Sequence, residues 1–251
     1  MSKKIEFLAH PDYVQLKEDY PEPIKINVPE WFKKLNHELG NFTIKGCIPF
    51  LETLTTGYLL KFPQDMFLNH NATNPETKIK DTFHRWGLKE ESDYLRANGI
   101  NLNSGPDLHT IDQLGGKEGG CPFVEQNKKL PFYKVLNPWY IKTPPGYSCL
   151  FVPPLNNPDD RFFPLAGIVQ TDTFTHEINF PIVINGDKYP ELKTVIKKGT
   201  PLVQVIPFKR EDWKMEVKTW SSQERRGKFH LYLRNFFRTY RDRHWSKTSW
   251  K

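Results

Sequence analysis

The sequence predicts a mainly β fold, a compact β-sandwich or clip-like barrel centred on residues 131–210, with a few helices beside it. Three observations carry this reading. The stretches Thr143-Pro-Pro-Gly-Tyr147, Gly167-Ile-Val-Gln-Thr-Asp172 and Ile196-Lys-Lys-Gly-Thr-Pro-Leu-Val-Gln-Val-Ile206 each join a turn former to a short run rich in β-branched and aromatic residues. Aromatics make up 14% of the chain, and 21 prolines against 15 glycines favour turns and strand edges over long helices. The dipeptide Asn185-Gly186 predicts a hairpin turn after the apolar run ending at Ile184, and Gly199 predicts a turn before the last core strand.

Taken in order, Ile5–Leu8 reads as a strand and Tyr20–Pro29 as a proline-rich extended passage. Pro29–Leu35 reads as a short helix with proline near its start, packed through Trp31, Phe32 and Leu35. Phe42–Ile44 and Thr56–Phe62 read as strands joined by Cys47–Leu54. Residues 70–130 form a loop-rich insertion, with helical periodicity from Lys80 to Ala97 and flexible loop material at Gly115–Gly120, which lacks the surroundings of a P-loop. Residues 221–245 predict an amphipathic helix: Phe229, Tyr232, Leu233, Phe236 and Tyr240 fall on one face, and Arg234, Arg238 and Arg241 share the helical period on another. The chain therefore divides into a single β-rich domain over 1–220 and a basic aromatic C-terminal helix and tail over 221–251.

Composition excludes several function classes. No apolar run approaches the roughly 20 residues that cross a bilayer as a helix, so no membrane partner is expected. The polar, charged start, Met1-Ser-Lys-Lys-Ile-Glu, carries no signal-peptide pattern, which makes secretion unexpected. Three widely spaced cysteines, Cys47, Cys121 and Cys149, suit a reduced compartment better than a disulfide framework. His70, His84, His109, Asp112 and Cys121 make no Cys-x-x-Cys or His-x-x-x-His pair, and within residues 70–130 no histidine is followed two positions on by a carboxylate. No metal site is expected, and an iron-dependent jelly-roll oxygenase is the weakest of the enzymatic readings. The formal charge is +7; residues 221–251 hold nine Lys/Arg against two Asp/Glu, a balance equal to that whole excess. Any contact with nucleic acid is thus expected from the tail.

The order of motifs over residues 143–208 resembles the dUTPase-like, or β-clip, superfamily of dUTP pyrophosphatases and dCTP deaminases. The resemblance rests on Pro145-Gly-Tyr147, Gly167-Ile-Val-Gln170, His176-Glu-Ile178 and Gly199-Thr-Pro-Leu-Val-Gln-Val-Ile206. It implies a β-clip core, a hairpin joining the second motif to the third, a ligand site at Tyr147, Gln170 and Gln204, and a homo-oligomer, in such folds often a symmetric trimer. The whole chain, including Pro29-Glu-Trp-Phe32, also resembles an uncharacterised family of tailed phages of marine bacteria, which implies a viral protein of the host cytoplasm or the virion.

The departures from the superfamily decide the expected function. The position of its water-activating aspartate is Gln170, which is no base. Its Arg-Ser-Ser phosphate clamp is replaced by Pro153-Pro-Leu-Asn156. The expectation is a non-catalytic protein that binds or assembles, with itself or another viral protein, through Arg234, Phe236, Arg238, Tyr240 and Arg241, and without a cofactor. The alternative is a diverged nucleotide hydrolase or deaminase using Asp172, His176 and Glu177, with Mg²⁺ only in the hydrolase case. Arg161, Asp172 and Glu177 lining one cleft would favour the enzyme; a hairpin filled by Phe174 and Phe180 would disfavour it.

If the arginine row is functional, replacing Arg234, Arg238 and Arg241 together by Gln is expected to weaken partner binding in a salt-dependent way, nucleic acid being one such partner. A titration against duplex DNA at low and at physiological salt measures it, and unchanged binding assigns the arginine row to a solvated face.

Overall fold

The computed structural model describes residues 3–9, 17–38, 40–63, 65–73, 84–85, 108–109, 114, 120–233 and 240–251. Over these the chain is mainly β, and every strand pairing among the described residues is antiparallel. The amino-terminal half supplies strands β1 (Glu6–Leu8), β2 (Glu22–Pro23), β3 (Tyr58–Lys61), β4 (Met66–Asn71), β5 (His84–Arg85) and β6 (Leu108–His109). It also carries helices α1 (Glu30–Lys34) and α2 (Ile48–Thr55). After the single turn of α3 (Phe123–Gln126) come β7 (Phe132–Val135), β8 (Tyr140–Lys142), β9 (Tyr147–Val152), β10 (Phe162–Pro164) and β11 (Gly167–Val169). Then come β12 (Phe180–Ile184), β13 (Glu191–Ile196), β14 (Pro201–Lys209), helix α4 (Ser222–Leu233) and a π turn at Tyr240–His244.

The largest sheet has the order β11-β9-β14-β3-β2, and β14 is its centre. Leu202, Val203, Gln204 and Val205 are all buried, so β14 reads as a continuous apolar run rather than an alternating one. It runs from Gln204 opposite Val152 to Lys209 opposite Tyr147 along β9, and pairs through Val205 opposite Tyr58 with β3. A second sheet, β10-β12-β7-β6, obeys strict alternation. Tyr133, Ile182 and Ile184 face the main core with Leu60, Phe62, Leu68, Phe151 and Ile196. The intervening Phe132 and Val183 turn to a smaller cluster beneath α3. β13-β4-β5 and the ribbon β1-β8 complete the set.

Two glycines are steric necessities. Gly57, ahead of β3, has φ +83°, and a Cβ there would stand 2.2 Å from the Val205 carbonyl oxygen. Gly186 lies against the backbone of α3, where a Cβ would come 2.6 Å from the Gln126 oxygen.

Several sequence expectations need correction. Cys47–Leu54 is not a connection but mostly α2, with proline in its first turn. Phe42–Ile44 is not a strand: Asn41 makes an isolated bridge to Glu38, and a 3-10 turn starts at Ile44. His84–Arg85 pairs with Met66–Phe67 as a strand where the periodicity suggested helix, and the rest of the predicted helix lies outside the described residues. Asn185-Gly186 is a turn but closes no hairpin. The Asn185 and Gly186 amides bond the Arg161 and Gln126 carbonyls, and β12 and β13 leave for different sheets.

His70, on β4 opposite Leu192, is fully buried, neither ring nitrogen has a hydrogen-bond partner among the described residues, and its ring lies 6.5 Å from that of Tyr133. Burial lowers its pKa to about 4. The unfolded chain therefore takes up a proton that the folded one refuses. Stability is whole above about pH 6.5 and falls as pH drops towards 4, by at most on the order of 3 kcal/mol. Denaturant melts between pH 7 and 4 should show this slope in the native sequence and a flatter one in His70→Leu.

Candidate functional site

Of the residues singled out by the sequence, Tyr147 and Asp172 come together at the end of β14, around Arg210. Asp172 and Arg210 form a bidentate ion pair, with Nη1 donating to Oδ1 at 2.8 Å and Nη2 to Oδ2 at 2.6 Å. The Gly146 amide donates to Asp172 Oδ2 at 2.8 Å, and the Arg210 amide donates back to the Gly146 carbonyl. Arg210 Nη1 also reaches the Tyr147 carbonyl and the Ser148 hydroxyl. The local sequence explains the convergence. Pro145-Gly146 makes a turn closed by the Tyr147 amide on the Pro144 carbonyl, with Gly146 at φ +81°, and this aims one amide at the carboxylate. The Asp172 side chain is only 5% exposed. The Arg210 guanidinium holds its carboxyl down at about 2, with a further bond from Gly146 in the same direction.

Behind the ion pair lies a small polar cluster. The Thr143 and Thr171 hydroxyls are 2.7 Å apart, and Thr171 Oγ1 lies 3.4 Å from Cys149 Sγ. Burial raises the Cys149 thiol to about 11, so it stays protonated and unreactive near neutrality.

Of the other proposed catalytic groups, His176 and Glu177 are exposed in the loop between β11 and β12. That loop replaces the hairpin expected there, and the strands on either side of it belong to different sheets. His176 and Glu177 lie in no strand, since strand structure resumes only at Phe180. Phe180 is buried while Phe174 is exposed, its ring 5.7 Å from that of His176. Arg161 is held by Asp159, through Nε at 2.9 Å and Nη2 at 2.7 Å. Among these candidates, then, Asp172 and Arg161 each spend their charge on a separate internal partner.

The three residues expected to line a ligand pocket are also apart. Gln204 is fully buried and works as a brace: Oε1 accepts from the Leu155 amide at 2.9 Å, and Nε2 donates to the Thr53 and Thr56 carbonyls. Gln170 is exposed, and its carbonyl accepts the Thr173 and Phe174 amides. Tyr147 borders a cavity of about 310 Å³ with Tyr58, Thr143 and Trp250, under the Lys3 ammonium 5.7 Å from its ring. Among the described residues no cluster of metal-ligating side chains occurs.

The C-terminal segment starts as expected. Ser221 and Glu224 form a reciprocal capping box at the start of α4: the Glu224 amide donates to Ser221 Oγ, and the Ser221 amide to Glu224 Oε2. Tyr240 and Arg241 are exposed, whereas Arg234, Phe236 and Arg238 lie outside the described residues. The chain then returns to its own body. Trp245 Nε1 donates to Glu52 at 2.8 Å, Lys25 Nζ donates to the Trp250 carbonyl, and the Trp250 ring meets Tyr58 edge-on at 5.8 Å.

Sequence reasoning missed the stretch between β14 and α4. Residues 211–220 are all exposed, and none of their backbone amides or carbonyls makes a backbone hydrogen bond among the described residues. Trp213 is 88%, Met215 86% and Val217 82% exposed. The signal was present as strict alternation in Trp213-Lys-Met-Glu-Val-Lys218, next to the helix that drew attention instead. The described helices include none long and apolar enough to cross a membrane. No protein family, curated protein or solved structure matches this chain.

Asp172→Asn is expected to lower the melting temperature at pH 7. A carboxyl depressed to about 2 contributes stability above its unfolded value near 4 and loses it as pH falls towards 2. Thermal melts should therefore show the gap between Asp172→Asn and the native sequence closing over that window.

Proposed function

We propose that this protein is a non-catalytic binding or assembly component whose contact surface is its C-terminal extension. The observation that carries the reading is the exposure of Trp213, Met215 and Val217 on one alternating segment. Large apolar side chains lining an exposed stretch of chain are the mark of a surface awaiting a partner. Phe229 on α4 and Trp220 just before it extend the same exposed tract.

The chemistry near the superfamily-like motifs supports the same reading. A general base must offer an uncommitted lone pair to its substrate. The Asp172 carboxylate is covered by Arg210 and Gly146, and the Cys149 thiol is buried. The resemblance to a family of tailed phages makes a virion, or a complex formed during its assembly, the setting proposed for this role.

Incubation with dUTP or dCTP and Mg²⁺ is expected to yield no turnover and no rise in melting temperature. Hydrolysis or deamination that disappears in Glu177→Gln or Asp172→Asn would overturn the proposal in favour of a diverged nucleotide enzyme.

A further inference from the structure

Residues 212–218 read Asp-Trp-Lys-Met-Glu-Val-Lys. In an extended chain the odd positions put Trp213, Met215 and Val217 on one face, and the even positions put Asp212, Lys214, Glu216 and Lys218 on the other. The structure already holds Lys218 and Glu216 in an ion pair at 2.9 Å, with both side chains largely exposed. The segment has the length and pattern of a strand, and among the described residues its backbone is unpaired.

Only one antiparallel register matches all four charges of the even face within the segment. Laid antiparallel against a second copy about a two-fold axis through Met215, Asp212 faces Lys218, Lys214 faces Glu216, and the reciprocal pairs repeat beyond the axis. On the other face Trp213 meets Val217 and Met215 meets its own copy. A shift that moves the axis to residue 214 sets Lys214 against itself and Asp212 against Glu216. A shift to residue 216 sets Glu216 against itself and Lys214 against Lys218. Parallel in-register pairing puts every charge beside its like, and a half-step shift mixes the apolar and charged faces. Among these arrangements, the one centred on Met215 is fully complementary.

We propose that residues 212–218 pair antiparallel with the same residues of a second copy of this chain, with Met215 on the two-fold axis. The proposal rests on the assembly reading above and names its partner. Such an interface is isologous and closed, since each residue meets its partner twice by symmetry. The paired ribbon presents one face of six apolar side chains, two each of Trp213, Met215 and Val217. Stacking two ribbons through that face covers it, so a mass of two or of four copies contains the same pair.

The test is a charge exchange read by light scattering and sedimentation on the full chain. Lys214→Glu and Glu216→Lys are each expected to weaken self-association about tenfold, because every reversal acts twice across the axis. The double variant, with the charges exchanged, is expected to restore it. A cross-link gives a second readout in a background of Cys47→Ser and Cys121→Ser. Met215→Cys should form a disulfide-linked dimer under mild oxidation. Val217→Cys should link only when mixed with Trp213→Cys. A monomer at all concentrations overturns the proposal. Association that survives both charge reversals but is lost in Trp213→Ser also overturns it, and leaves the assembly reading standing with a different partner for the segment. Nucleotide turnover sinks the assembly reading itself, so the two failures are distinguishable.

Discussion

The Asp172–Arg210 ion pair is the constraint on which the rest of the sheet depends. It joins three segments distant in sequence: the turn at Pro144–Tyr147 that starts β9, the turn after β11, and the end of β14. A strand buried on both faces, as β14 is from Leu202 to Val205, gains from burial in any register and is poorly specified by it. Directional polar contacts supply what burial lacks. Arg210 pins the end of β14 to Tyr147 and Ser148, and Gln204 pins its middle to Thr53, Thr56 and Leu155. Both braces are strict, since removing either partner would strand a largely buried charge or an unmet backbone group.

One of these braces takes up the Asp172 carboxylate, and the Cys149 thiol lies buried behind it. A carboxylate held near pKa 2 by a guanidinium is a poor proton acceptor, and a thiol raised to about 11 is a poor nucleophile. His70, whose ring nitrogens have no hydrogen-bond partner among the described residues, sits in the core as a neutral ring. Among the described residues the largest shifts, at His70, Cys149 and Asp172, are thus explained by burial and by the Asp172–Arg210 pair.

The legible parts of the fold were those encoded locally. Strands β3, β9 and β14, helix α1 and the start of α4 each announce themselves through a β-branched run or a boundary residue within a few positions. Helix α2 was hidden because Pro49 looks like an interruption until it is placed in a first turn. Sheet membership was not legible: Asn185-Gly186 has the composition of a hairpin turn, but Gly186 serves close packing against Gln126 instead. The candidate site was half legible. Tyr147 and Asp172 do come close, but Arg210, 38 residues beyond Asp172 in sequence, is the partner that determines what Asp172 does. Gln204 was noticed for its place in a motif, and its role depends on carbonyls about 150 positions earlier that no local pattern announces.

The exposed segment after β14 follows from the same constraint. Arg210 ends the sheet by turning its side chain inward, so the chain beyond it leaves the body with its alternation intact and its backbone unpaired. Exposed strand edges are a liability that proteins usually blunt with proline or with charges of one sign. Residues 211–220 contain no proline, and their charges alternate in sign along one face. That pattern matches all four charges within the segment in one antiparallel register and sets like charges together in the nearest shifts. An edge designed to stay alone would not need that discrimination, whereas an edge designed to meet its own copy would.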